Sequence, residues 1–415
     1  MPVPLPPDSR ALYRHGMTPD ISHDESARIN VLASLNASVA ASLSSGVKLA
    51  YEHEAKPKLT AEELDLSNPK VQTGATVRKA IRSSPMYQSW ASLRRAIQEM
   101  NRQTARHIAL RQLDALRQRA EALTGSGDEA KKTLHLNPSL EVPRYLAEAD
   151  NHLQPGGYHT EIVPGDLTAA ATYDVATFVT AMGMFGAKGD SGGRGMAKWL
   201  KQHHPNFKPK RILDIGAAHG NNTLPLAAAF PDAEVVALDA GAPMLRYGRA
   251  RAQSMGFSNV RFVQGAAEDL EGSLGTFDWI QTTMVFHETS GAALPKILKQ
   301  IYGALNPGGL TTNLEQPNFT ADTPVFDRFL RNWDAWYNNE PFWVQLHGMD
   351  FQAELHAAGF APENCIEGGV NPDLEPGHYP AWAGKISRHD HEHVKPDPQK
   401  QGYNGEAWYL FGAWK

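Results

Sequence analysis

The stretch that most constrains this chain is Arg211 to Gly220, RILDIGAAHG. Ile212, Leu213 and Ile215 make a short run that is apolar on both faces, as in a strand buried inside a parallel sheet. Gly216 and Gly220 follow at once. Glycine at these positions lets the backbone turn without a Cβ clash and lets a ligand approach the main chain. A helical pattern from Asn221 to Phe230 then places unpaired N-terminal N–H groups beside the turn. Pro231 to Asp239 reads as a second buried strand ending in VVALD. The unit is strand, loop, helix, strand. It selects an open α/β sheet whose ligand lies at the carboxyl ends of the strands, where Asp239 is placed to accept hydrogen bonds from the hydroxyls of a ribose.

The preceding region is of another kind. Residues 1–21 carry Pro2, Pro4, Pro6, Pro7 and Pro19 with no helical period, and read as a flexible tail. Ser22 to Glu25 matches a capping box, and Ile29, Leu32, Leu35, Val39 and Leu43 continue as an amphipathic helix. Thr60 to Glu63 is a second capping box, expected to open a short helix before Pro69. From Tyr87 to Leu123 a stripe of Trp90, Leu93, Ile97, Met100, Ile108, Leu113, Leu116, Ala120 and Leu123 predicts one long helix. Its partner is either the other N-terminal helices or a second copy of the chain, which would make a homodimer. The arginines between those positions read as a solvated face. Residues 22–150 are therefore expected to be an N-terminal helical domain, a cap or a dimerisation unit, and residues 151–415 the α/β domain.

With 415 residues, 41% of them hydrophobic, and a formal net charge of −5, the chain has room for one large core and a satellite domain. No window approaches ~18 consecutive apolar residues, and the start lacks the apolar core of a signal peptide. A cytoplasmic protein with no membrane contact is expected. Basic residues are dispersed, so nucleic acid is not an expected partner. Cys365 is the only cysteine, which excludes an intramolecular disulfide and a multi-cysteine metal site.

Later motifs extend the nucleotide-binding pattern. They are LDIGAAHG, then VVALD, then Val263 to Leu270 (VQGAAEDL), Thr276 to Gln281 (TFDWIQ) and Leu305 to Leu310 (LNPGGL). In this order they resemble the class I S-adenosylmethionine-dependent methyltransferases. The resemblance covers about residues 195–415. It implies a seven-stranded, mostly parallel Rossmann-like sheet with an antiparallel last strand, and S-adenosylmethionine as cofactor. Carried onto this chain, it implies that Asp214, Gly216, Ala217 and Gly220 hold the methionine part, with Asp214 turned to its amino group. Asp239 would clamp the ribose, Ala240 and Met244 would line the adenine pocket, and Ala267 and Glu268 would meet the adenine edge. Ala266 stands where family members commonly carry Asp, so Glu268 is the candidate for the adenine amino contact.

At the end of the fourth strand of that pattern lies His287-Glu288, a candidate catalytic pair, since imidazole can take a proton from an acceptor or orient it. Tyr158 and His159, after a glycine pair, are candidate lid residues. An aromatic insertion at 319–351, far richer than the 9% average, holds Trp333, Trp336 and Tyr337. These either enclose an acceptor or pack against the N-terminal helices. A loop insertion at 371–405 contains His389-Asp-His391-Glu-His393, which reads as a solvated loop, so no metal is expected. The expected activity is methylation of a small molecule. Its rivals are another use of the same cofactor, by cyclisation, decarboxylation or aminopropyl transfer, and a non-catalytic scaffold.

Overall fold

The computed structural model describes every residue except 1–7, 12–13, 66–72, 126–131, 184, 187, 271–273, 321–322, 374–402 and 404–407. The His389–His393 cluster falls outside the described residues.

Arg211–Ile215 (β2), Glu234–Asp239 (β3), Val260–Gln264 (β4), Phe277–Thr283 (β5) and Leu305–Glu315 (β6) form as their apolar runs require. Cys365–Val370 (β7) and Trp408–Trp414 (β8) complete the C-terminal edge. The sheet has eight strands where the motifs implied seven, because Leu134–His135 (β1) pairs parallel to β4 at the far edge. Strand order is β1-β4-β3-β2-β5-β6-β8-β7, and β8 runs antiparallel to both of its neighbours. Alternate residues feed opposite faces. Leu213 and Ile215 join the core under the Leu294–Ala304 and Phe351–Ala358 helices. Ile212, Val235 and Ala237 join the core under the Ser191–His203 and Thr223–Ala229 helices.

The N-terminal helices do not pack by themselves. Ile29, Tyr51, Trp90 and Ile108 share a core with Val175 and Phe178 of the Thr168–Thr180 helix and with Phe326, Phe329 and Trp333 of the aromatic insertion. The single helix expected over 87–123 is two, Pro85–Leu110 and Leu113–Thr124. At the break the Gln112 side chain donates to the carbonyls of Asp20 and Ile108 and accepts from the Asp20 N–H. The Gln112 side chain thus ties the N-terminal arm to the break. Leu93 and Met100, expected on the core stripe, are 40% and 42% exposed. Arg102, expected in solvent, is buried; it donates to the His152 carbonyl and to Gln154 Oε1 at 3.1 and 3.0 Å.

The Ser22/Glu25 capping box forms as expected and opens the His23–Ser38 helix. The Thr60/Glu63 box also closes, with Glu63 N–H bonding Thr60 Oγ1 and Thr60 N–H bonding Glu63. Among the described residues it closes a turn, and the next described helix is Thr73–Ile81. Residues 14–20 are an ordered arm and not a free tail. His15 bonds Asp174, the Met17 carbonyl accepts from the Tyr247 hydroxyl, and Met17 is fully buried.

Candidate functional site

A cavity of about 560 Å³ opens at the carboxyl ends of β2 to β5, a size that suits a small-molecule site. The loop after β2 forms one wall. Gly216 has φ 70°, and a Cβ there would come within 2.5 Å of Val285 Cγ2, so only glycine fits. Gly216 N–H and Ala217 N–H both donate to the Leu238 carbonyl, at 2.8 and 3.0 Å, which ties the loop to β3. Asp239, at the end of β3, accepts from Ala218 N–H on Oδ2 at 2.8 Å and from Gly241 N–H on Oδ1 at 2.7 Å. Those bonds fix the carboxylate, and each oxygen keeps a second lone pair. Burial raises Asp239 to about 6, against the lowering effect of the same N–H donors. Across the cleft Glu268 buries Oε2 with no hydrogen-bond partner.

The other end of the cavity is made of side chains from four separate segments. β5 runs into a turn, Phe286–Glu288, that carries His287 and Glu288. Glu315, at the end of β6, braces that turn. Its Oε1 accepts from Val285 and Phe286 N–H, and its Oε2 lies 2.7 Å from His287 Nδ1. Since a carboxylate only accepts, Nδ1 is the protonated nitrogen and Nε2 faces the cavity. The Asn151–Leu153 turn adds His152, held at φ 54°, which is uncommon for a residue with a Cβ. His152 Nδ1 lies 2.7 Å from Glu340 Oε1 and Nε2 lies 3.1 Å from Glu288 Oε1. Tyr158 hydroxyl donates to Glu288 Oε1, and the Asn151 amide donates to Oε2.

Burial alone would lower both imidazoles, but the surrounding carboxylates outweigh it. Glu340 and Glu288 raise His152 to about 10, and Glu315 with Glu288 and Glu340 raises His287 to about 9. Glu288 is lowered in turn, because the His152 bond overcomes its burial. Trp343 closes the side of the cluster, its ring centroid 4.6 Å from that of His287.

Residues 212–309 match the family described as "Methyltransferase domain". Residues 212–309 form a class I S-adenosylmethionine-dependent methyltransferase domain. Two curated relatives align with this part of the chain. An uncharacterised methyltransferase of Synechocystis is 32% identical over 36% of this chain and 66% of its own length. A demethylmenaquinone methyltransferase of Thermus thermophilus is 38% identical over 26% of this chain and 48% of its own. The chain thus spans about half to two thirds of the curated relatives it matches. Among solved structures, phosphoethanolamine N-methyltransferase 2 of Haemonchus contortus in complex with S-adenosyl-L-methionine is similar at TM-score 0.40 and 18% identity, covering 58% of this chain and 57% of that one.

The residues of the methyltransferase domain fit S-adenosylmethionine in the cleft. Asp239 has lone pairs to spare, Glu268 Oε2 is an unpaired acceptor on the expected adenine side, and Gly216 leaves the main chain open. Gly216, Asp239, Ala240, Met244, Ala267 and Glu268 line the cavity together, whereas Asp214, Ala217 and Gly220 are not among its described lining residues. Asp214 is buried, with its oxygens taken by the Thr223 hydroxyl and the Gln281 amide, and burial raises it to about 7. It braces the end of β2 behind the described lining of the cavity. Gly220 N–H donates to the Ala217 carbonyl at 2.8 Å, so that pair shapes the loop from behind.

Tyr158, His159, His287 and Glu288 meet at the cavity; Trp333, Trp336 and Tyr337 are not among its described lining residues. Trp333 is 3% exposed and packs edge-on against Trp90 at 6.1 Å. Trp336 lies against Phe329, and the Tyr337 hydroxyl meets Arg78 and Tyr87. Of the two readings of the aromatic insertion, packing against the N-terminal helices describes these three residues. Among the described residues of the insertion, the aromatic that lines the cavity is Trp343. His152 and Glu340 escape sequence reasoning altogether. Each sits in an irregular turn whose local sequence has no chemical motif, and only the fold brings them to His287.

Proposed function

We propose that the chain transfers a methyl group from S-adenosylmethionine to a small-molecule acceptor bound between the cofactor cleft and the His287–Glu288 cluster. The observation that supports this most is Asp239, anchored on two backbone N–H groups at a strand end and open to a cavity that runs on to His287. When bound, the cofactor supplies an electrophilic methyl group on a positively charged sulfur. Asp239 would accept from the ribose hydroxyls and Glu268 from the adenine amino group, while Ala240 and Met244 form apolar walls.

The acceptor end contributes chiefly position. An attacking atom held near contact distance and in line gains much of the rate that free collision would not give. Tyr158, His159 and Trp343 would enclose the acceptor and exclude water. His287, its ring fixed by Glu315, would orient the acceptor from the Nε2 side of its ring, with Glu288 beside it. The demethylmenaquinone methyltransferase among the relatives supports a small organic acceptor.

The test is incubation of the protein with S-adenosylmethionine and pools of hydroxylated, quinoid and carboxylated small molecules. The expected result is S-adenosylhomocysteine formed together with a product heavier by one CH₂, and loss of that product in His287→Ala while cofactor binding is retained. Cofactor cleavage with no methylated product would favour one of the other uses of the same cofactor. Absence of cofactor binding would favour a scaffold.

A further inference from the structure

His152 and His287 come from distant segments, yet they are dressed alike. Each ring is held at 2.7 Å by a buried carboxylate on Nδ1, from Glu340 and Glu315 respectively. Each therefore turns Nε2 inward. Both Nε2 atoms face the same oxygen, Glu288 Oε1, at 3.1 and 3.9 Å, and the ligand atoms of the three residues lie within 4.8 Å of one another. Donor atoms on a tetrahedral ion with bonds of ~2.0–2.2 Å stand ~3.3–3.5 Å apart. The 3.1 and 3.9 Å separations bracket that spacing, and the third lies within 4.8 Å.

Glu340 gives an independent pointer. It is 1% exposed, its Oε2 has no hydrogen-bond partner, and that atom lies 3.9 Å from His287 Nε2. A buried carboxylate oxygen left without a hydrogen bond beside two inward-facing imidazoles calls for a further partner. The backbone also accommodates the arrangement, because His152 takes a left-handed φ of 54° to enter the cluster, and Arg102 pins its carbonyl. Carboxylates on the outer nitrogens of both rings are the arrangement that orients and strengthens histidine ligands at metal centres.

We propose that His152, His287 and Glu288 bind one divalent transition-metal cation, with Glu340 Oε2 alongside and the remaining position open to the cavity. Two imidazoles and one carboxylate suit zinc, cobalt or nickel, and not magnesium or calcium, which take oxygen sets. Three protein ligands with an open position are the composition of a working centre and not of a closed structural one. The acceptor would then reach the cation through an oxygen or sulfur atom at or beside the methylated position. That last step rests on the proposed function; the cation site itself does not. It also departs from the expectation, drawn from the sequence, that the chain holds no metal.

The experiment uses the full chain, stripped with a chelator and titrated with Co²⁺ while visible absorption is recorded, followed by displacement with Zn²⁺. Uptake of about one equivalent with tetrahedral-type visible bands is expected. His152→Ala and His287→Ala should each weaken uptake at least about a hundredfold, and Glu340→Gln about tenfold, since outer carboxylates tune affinity by ~10–100-fold. Glu288→Gln keeps the side chain's shape, and the same loss is expected there if an alanine variant fails to fold. S-adenosylhomocysteine binding by the same samples separates the two ideas. Cofactor binding without cation uptake overturns the metal site alone, and cation uptake without cofactor binding overturns only the methyltransferase reading. Uptake that survives in the His152→Ala/His287→Ala double variant places the ion elsewhere and also overturns the proposal.

Discussion

The two ends of the cavity are built on opposite plans. The cofactor end is made from the ends of neighbouring strands and their loops, within residues 215–268, and relies on backbone N–H groups, small residues and the Asp239 carboxylate. The acceptor end is made from side chains at 151–158, 286–288, 315 and 334–343, each held by a partner from another segment. A site of the first kind is encoded locally and survives changes elsewhere. A site of the second kind depends on the whole fold, including the N-terminal helix that carries Arg94 and Arg102 to its rim.

That contrast can be broken in several places. The largest expected effect is at Trp333, which links the aromatic insertion to the N-terminal core. Trp333→Ala should cost about 3–5 kcal/mol of stability, as large aromatic truncations in cores do, and leave the affinity for S-adenosylhomocysteine unchanged in the fraction that remains folded. Chemical denaturation with a parallel ligand titration measures both. Unchanged stability with abolished methyl transfer would instead put Trp333 in the acceptor site.

Gly216→Ala comes next, because the two ends touch there. The added Cβ would meet Val285, next to the turn that carries His287, and would force a left-handed φ on alanine. A loss of about 1–3 kcal/mol is expected, with weaker cofactor binding and a disturbed His287–Glu288 geometry together. An effect on cofactor affinity alone would show that the ends are independent.

Tyr158→Phe should be milder. It removes the hydroxyl bond to Glu288 Oε1, worth about 1.5–3 kcal/mol for a bond to a charged group and less where solvent substitutes. Turnover should fall while cofactor affinity holds, and comparison of kcat with the cofactor Kd checks this.

The smallest expected effect is one of pH. Burial raises Asp239 from 3.8 to about 6, so its ionisation costs the cofactor-free protein stability as pH rises through that window. Ribose binding is strongest to the ionised carboxylate, so affinity for S-adenosylhomocysteine should weaken as pH falls through about 6. Asp239→Asn should remove that dependence of affinity on pH, and its amide leaves one of the two backbone N–H groups without an acceptor, so the melting temperature of the cofactor-free protein should fall.

How far the sequence can be read follows the same contrast. The parallel sheet is legible because buried strands and glycine-bounded turns leave local patterns, and the antiparallel β8 follows from the family resemblance. Asp239 and Gly216, read from that pattern, and Glu268, read from the resemblance, all line the cavity. Asp214 reads as a ligand contact because it lies in the same strand-to-loop motif, but Thr223 and Gln281 claim its oxygens from neighbouring elements. The Pro85–Leu110 helix keeps its 3.6-residue period, yet it breaks at Gln112, whose side chain bonds the Asp20 backbone, from a segment with no period of its own. His152 and Glu340 meet His287 only through tertiary structure, from turns far away along the chain. No pattern in either turn announces a shared site.

The most direct test of the central claim is calorimetric titration of the purified chain with S-adenosylhomocysteine, beside the Asp239→Ala variant. Loss of two hydrogen bonds to a charged acceptor predicts micromolar binding by the natural protein and a loss of about a hundredfold or more in the variant. Equal affinity in both, or no binding by the natural protein, would contradict the account.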